Sequence, residues 1–225
     1  MSPGSIVEHV VLFNINDDED PTKVNDLVNG LLALNSLSQV LYLTAGPIFR
    51  TRSSPLKFTH MIHARFRSKD DLFAYLADRA HVKVGTELAR PISVDHMALD
   101  WAVDSLDGPE VPLPGRAMRV TFFKLKEEAA EDEKHKILEE FERIKGSCSS
   151  WTFEQISFGE NFSPERAKGY GVGSAVIFPD LNELDACEDY EDAVRSLVDK
   201  FKGALDAYIT VDYVVPRSIS TATIL

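Results

Sequence analysis

The chain repeats itself, and that limits what it can fold into more than any single motif. RVTFFKL at 119–125 answers HVVLFNI at 9–15 at an offset of 110. YGVGSAVIF at 170–178 answers FTHMIHARF at 58–66 at an offset of 112, and TVDYVV at 210–215 answers ALDWAV at 98–103 at the same 112. Matching strand patterns at offsets two residues apart mean one structural unit used twice. Between the copies, residues 104–116 (DSLDGPEVPLPGR) hold three prolines and two glycines with no periodicity, the composition of a linker. The expected division is a first unit at 1–103, a linker at 104–116, a second unit at 117–216 and a flexible tail at 217–225.

Within the first unit, IVEHVVLF (6–13) alternates as a strand, with Val7, His9, Val11 and Phe13 on one face and Ile6, Val10 and Leu12 on the other. Asp20-Pro21 starts a helix whose stripe is Val24, Leu27, Val28, Leu31 and Leu34. A strand over 39–45 stops at Gly46-Pro47, and the loop 48–56 is polar and basic. The strand 58–66 puts Phe58, His60, Ile62, Ala64 and Phe66 on one face, and Thr59, Met61, His63 and Arg65 on the other. Ser68 and Asp71 have capping-box spacing ahead of a helix carrying Leu72, Tyr75 and Leu76. A second helical piece runs over about 80–90 to Pro91, and a strand over 94–101 closes the unit.

That order, βαββαβ, is the ferredoxin-like arrangement: a four-stranded antiparallel sheet with helices on one face. The second unit follows it, with a helix over 128–145, strands over 150–158, 170–178 and 210–215, and a last helix lined by Tyr190, Val194, Leu197 and Phe201. An aromatic and β-branched sheet face does not stay in water. The two units are therefore expected to pack sheet to sheet as one α/β barrel, sheets inside and helices outside, a pseudo-dimer on one polypeptide.

A net charge of −12 argues against a nucleic-acid or anionic-membrane partner, since phosphate contacts need a basic patch. Cys148 and Cys187 lack metal-ligand spacing and read as reduced intracellular thiols. No apolar run is long enough to span a bilayer, and no secretory leader pattern stands at the start. A soluble cytoplasmic protein is expected. The tail Ser218–Leu225 ends in leucine but lacks the basic residue of a peroxisomal address, which leaves the peroxisome as the alternative.

VEHVVLFNI, FTHMIHARFRSKDDLFAYL, RAHVKV and LDW together resemble the stress-responsive dimeric A/B barrel family, best known from plants, over all of 6–103. The second half matches in layout but poorly in motif residues, so the chain looks like a tandem member. The resemblance implies a barrel with a cavity for a small molecule, no required cofactor, a role in stress response, and homodimers as a further association. A relative is a polyketide cyclase that closes a ring by aldol condensation without a metal. Its catalytic residues carry over onto His9, His60, Tyr75 and His81. Where the family often has His-Pro, this chain has Asp78-Arg79. At the corresponding positions the second half has Arg119, Val172, Cys187 and Ala193, which implies one active pocket and one structural half. Some family members hold magnesium on main-chain carbonyls that map onto Leu34, Leu37 and Val40.

An aldol closure needs a base for an acidic C–H and a donor for the developing oxyanion. His81 suits the first role, oriented by the Tyr75 phenol. The two are six residues apart, so they meet only if the helix breaks near Asp78. His9 and His60 could polarise carbonyls as neutral donors, with Val11, Phe13, Phe58 and Ile62 as apolar lining. A metal triad of His9, His60 and His63 conflicts with alternation, which turns His63 the other way. Arg50, Arg52 and Lys57 could meet an anionic ligand at the barrel mouth, or simply be solvated. The plain alternative for each histidine is a core residue hydrogen-bonded to a neighbour. Two functions remain: a barrel binding a small hydrophobic or carbonyl-containing ligand, and a cofactor-free cyclase.

Overall fold

The computed structural model describes residues 5–129, 131–147 and 153–217. The first half contains β1 (Ile6–Ile15), α1 (Pro21–Ala33), β2 (Val40–Pro47), β3 (Arg50–Ser53), β4 (His60–Phe66), α2 (Lys69–Ala77), α3 (Arg79–Lys83) and β5 (Ser93–Val103). The second contains β6 (Ala117–Leu125), α4 (Glu131–Gly146), β7 (Gln155–Glu160), β8 (Tyr170–Phe178), α5 (Leu181–Ala186), α6 (Glu188–Phe201) and β9 (Leu205–Val214). One sheet has the order β2-β4-β1-β5, and the other has β7-β8-β6-β9 with β3 added beyond β9. Setting β3 aside, the two orders are the same, as the repeat requires.

Local chemistry sets the helix starts. Asp20 caps α1 by accepting from the Thr22 amide, with Pro21 in the first turn. Ser68 caps α2 by accepting from the Asp71 amide. Asp78 does two jobs: its extended backbone (φ −65°, ψ 138°) ends α2, and its carboxylate accepts from the Ala80 amide to start α3. The expected break is there. Beyond α3 the chain continues through a wider π turn at Val84–Ala89, where the Arg90 amide donates to the Gly85 carbonyl.

Strand alternation separates two cores. Val7, Val11, Phe13, Ile62, Ala64 and Phe66 face the helices of their own half. Val10, Leu12, Met61, Leu99 and Trp101 face the opposite sheet and pack on Met118, Val120, Phe122, Val211 and Tyr213. The sheets are inside and the helices outside. Trp101 is fully buried and packs against Gly173, where an added Cβ would sit 2.8 Å from the indole ring. The residue matching Gly173 in the first half is Met61, so the indole takes space that a side chain would fill.

A charged network is buried in the same interface. Glu8 accepts from Arg65 at 2.9 Å and contacts His63 Nε2 at 2.5 Å. Arg65 also donates to the side-chain oxygen of Gln155 across the interface and to the Glu110 carbonyl. Burial would raise the Glu8 carboxyl, but Arg65 and His63 outweigh it and hold the group far below the usual carboxylate range. Gln155 donates to the Asp107 and Pro109 carbonyls, so the segment joining the halves is tied down over this network.

The basic loop departs from expectation. Its residues 50–53 form β3, which leaves the first sheet and pairs antiparallel with β9, Arg50 opposite Asp212. Arg50 and Arg52 are occupied by Asp212 and Asp185, and Lys57 by Asp17, so none of them waits at a cavity mouth. Free strand edges recruit partners, and here the partner is the other half of the same chain. In the second half, the strand expected over 150–158 is found at Gln155–Glu160. Cys148 and the tail from 218 lie outside the described residues, as does whatever the tail would say about the peroxisome. No helix among the described residues is long and apolar enough to cross a membrane.

Candidate functional site

A cavity of about 790 Å³ opens in the first half, between its sheet and the layer formed by α1, α3 and the π turn. It is on the helix side of the sheet, whereas the two sheets meet through a packed apolar cluster that includes Trp101 and Phe122. His9, Val11, Phe13 and Ile62 line it from the strands, and Tyr75 and His81 from the helices. Glu165, Arg166 and Lys168, on the connection between β7 and β8, line it from the second half.

The register of β1 against β5 places His9 opposite Asp100. His9 Nδ1 is 2.5 Å from Asp100 Oδ1. The carboxylate can only accept, so His9 donates to it from Nδ1. Burial would raise the Asp100 carboxyl, but His9, Ser163 and Arg166 together hold it below its ordinary value. His81 is arranged the same way by a different acceptor. Its Nδ1 lies 3.1 Å from the Leu76 carbonyl, an oxygen that can only accept, so Nε2 is the free acceptor. Burial lowers the His81 pKa, which favours the neutral ring. His81 thus offers the lone pair of Nε2, while the Nδ1 hydrogen of His9 is taken up by Asp100.

Tyr75 lies between them, its ring centroid 4.5 Å from that of His81 and 6.2 Å from that of His9. The break at Asp78 folds α3 back and brings the phenol and imidazole together. The Tyr75 hydroxyl is buried and has no hydrogen-bond partner among the described residues. Burial pushes its pKa well above the usual phenol value, so it remains a donor.

The other expected residues fall elsewhere. His60 contacts Thr59 Oγ1 at 3.0 Å and borders a separate depression beside Asp17 and Glu19. Phe58 packs in the inter-sheet core. His63 faces the opposite sheet, as alternation requires. The Leu34 carbonyl accepts from the Leu37 amide at 3.1 Å and the Leu37 carbonyl from the Val40 amide at 3.0 Å. With no carboxylate among Leu34, Leu37 and Val40, that set does not match what magnesium takes from proteins. No group of three or more His, Cys, Asp or Glu among the described residues is placed to hold a metal.

At the position of His9 the second half has Arg119, which binds Asp212 through Nε at 2.7 Å and Nη2 at 3.1 Å and reaches Glu191 through Nη1. Tyr190 and Cys187 are buried in the same core. Sequence reading missed Asp100, Arg166 and the Leu76 carbonyl. Asp100 had a signal, since counting back along an antiparallel β1–β5 pair sets it across from His9; the other two contacts depend on tertiary placement.

The model of the stress responsive A/B barrel domain matches the chain twice, at residues 7–103 and 118–215. The chain is 41% identical over 222 residues to a stress-response A/B barrel domain-containing protein of Arabidopsis thaliana, covering 98% of this chain and 83% of that one. It is also 41% identical over 218 residues to a second protein of that description from the same plant, covering 96% and 99% respectively. A solved structure described as an anthrone oxidase-like protein superposes with a TM-score of 0.64 at 10% identity, covering 95% of this chain and 92% of that one, a likeness of fold alone. On the strength of the double match and these relatives, the chain belongs to the stress-responsive A/B barrel domain family, with two copies of the domain on one polypeptide.

Proposed function

We propose that the cavity of the first half binds a small, largely apolar molecule carrying a carbonyl group flanked by an acidic C–H or an enolic O–H. The observation that carries this reading is the Tyr75 hydroxyl, buried beside the cavity with no partner among the described residues. An unmade hydrogen bond of this kind costs about 1–3 kcal/mol, which a ligand carbonyl would recover. His81 supplies an acceptor for the acidic hydrogen through Nε2, and Val11, Phe13 and Ile62 supply an apolar wall. The volume suits a ligand of drug-like size. Calorimetric titration with 1-phenylbutane-1,3-dione tests it. The wild type should bind, and Tyr75→Phe should bind about tenfold more weakly, the cost of one hydrogen bond. Absence of any saturable binding by the wild type would end this reading.

A second reading, cofactor-free aldol-type ring closure, is favoured by the contact of Tyr75 with His81 and by the Leu76 carbonyl that leaves His81 Nε2 as a base. Incubation with a poly-β-keto thioester should give cyclised product faster than the buffer background, and His81→Gln should abolish the difference. Equal rates for wild type, variant and buffer would leave a binding protein.

A further inference from the structure

We propose that Ser93 is a second anchor of the cavity, and that the ligand carries a hydroxyl at the end remote from its carbonyl. The inference rests on the ligand reading above and extends it from one end of the molecule to the other.

Ser93 lines the cavity, and its Oγ is buried with no hydrogen-bond partner among the described residues, the same combination found at Tyr75. A bulge sets its direction. β1 and β5 pair Asn14 with Asp95 and then Ile15 with Ser93, so Val94 is the extra residue. Without the bulge, alternation would turn residue 93 toward the opposite sheet, as it turns Met97 and Leu99. With it, Ser93 stands across from Ile15, a member of the helix-side core, and opposed residues share a face. The Asn16 amide donates to the Ile92 carbonyl at 3.1 Å and the Ile92 amide to the Ala89 carbonyl at 3.2 Å, which fixes the chain beside the serine.

The two orphaned hydroxyls belong to opposite ends of the cavity. His9, beside Tyr75, and Ile15, across from Ser93, lie on one face of β1, about 20 Å apart along the strand. Between those ends the wall is Val11, Phe13 and Ala98, with the His96 ring stacked on Phe13. The lining therefore runs polar, apolar, polar, and an elongated molecule with a hydrogen-bonding group at each end matches it. A hydroxyl suits the Ser93 end, because the serine is neutral and both donates and accepts. Lys168 is neutralised there by Asp95 at 2.7 Å. Arg90, exposed at the rim with no ion pair among the described residues, makes an anionic terminus the competing case for the experiment to exclude.

The second half shows what the frame does where no cavity opens. Its matching strands have the same register shift, between Lys124 and Leu125, and pair Leu125 with Leu205. Leu205, the counterpart of Ser93, is buried in that half's apolar core. A pair of leucines satisfies this corner of the fold. Ser93 forgoes that packing and leaves a hydroxyl unmet, a loss that a ligand hydroxyl offsets.

Calorimetric titration with 1-phenyl-1,3-diones of ten-, twelve- and fourteen-carbon backbone, each ending in a methyl, a hydroxyl or a carboxylate, tests the proposal. At one of these lengths the wild type should bind the hydroxyl-ended compound about fivefold more tightly than the methyl-ended one. Ser93→Ala should abolish that preference, and Ser93→Gly serves should the alanine variant fail to fold. Tyr75→Phe should weaken both compounds about tenfold and leave their ratio unchanged, as two separate anchors require. No preference in the wild type at any length, or a preference that survives loss of the serine hydroxyl, overturns the second anchor while the carbonyl reading stands. A carboxylate-ended compound that binds tightest, and loses its advantage in Arg90→Gln, overturns it in favour of an anionic terminus. If the wild type binds neither these compounds nor 1-phenylbutane-1,3-dione, the carbonyl reading falls and the second anchor falls with it.

Discussion

Asp100 and Asp212 occupy the same place in the two halves, yet one borders a cavity and the other a filled core. The difference begins with the residue opposite. His9 is short, makes one contact to Asp100 and leaves room in front of it. Arg119 is longer, binds Asp212 with two nitrogens and reaches Glu191 with a third. Arg50 and Arg52 then add to Asp212 from outside. A duplicated frame has thus been given two uses, a polar site in one copy and a packed ion network in the other. Removing one member of a buried ion network leaves its partners uncompensated, whereas truncating a residue that already borders a void disturbs less.

The largest expected effect follows from that contrast. Arg119→Ala should destabilise the protein by about 3 kcal/mol in urea unfolding, since it strips a buried carboxylate of its main partner. His9→Ala should cost about 1 kcal/mol, the value of one hydrogen bond. Equal losses would mean that the second core is no more dependent on its charges than the first. Next comes the contact that joins the sheets. Gly173→Val should cost about 2 kcal/mol by overpacking against Trp101, while Met61→Val at the matching position should cost less. A stable Gly173→Val protein would show that the indole can move aside.

Acid separates the halves in another way. Burial lowers the pKa values of His60, His63 and His81, all in the first half. The unfolded chain therefore binds protons on these groups before the folded one does, so their contribution is intact above the unfolded value of 6.5 and is lost as pH falls below it. The lowered carboxyl of Asp212 acts later, its contribution fading only as pH drops through the carboxylate range below the ordinary value of 3.8. Hydrogen exchange, corrected for intrinsic rates, should show the first half loosening as pH falls from 6.5 to about 5 while the second holds. Simultaneous loosening would sink the distinction. The smallest effect is at Tyr75. Tyr75→Phe should raise stability by about 1 kcal/mol in thermal unfolding by removing an unsatisfied hydroxyl, even as it weakens ligand binding.

Much of this frame could be read from residues alone. Alternation in 58–66 separated Ile62 from His63 correctly, because a strand has only two faces and burial selects between them. The Asp78 break was legible as a change of pattern, and it accounts for the meeting of Tyr75 and His81. Phe58 and His60 were misplaced for two reasons: Phe58 precedes β4, so the alternation was carried too far toward the loop, and His60 stands at the strand end, which carries it past the cavity. The arginines were misread because nothing local distinguishes a solvated basic loop from an edge strand with a distant partner.

The repeat, the capping residues and the two-faced strands determined the architecture, since these depend on neighbours along the chain and on the shared need to bury one sheet face. Which side of the sheet holds the cavity, which carboxylate takes the hydrogen of His9, and which half supplies the arginine were decided only when the two sheets closed on each other. Those outcomes depend on contacts between residues such as Asp100 and Arg166, separated by 66 positions, and local pattern carries no information about such pairs until the fold brings them within hydrogen-bond reach.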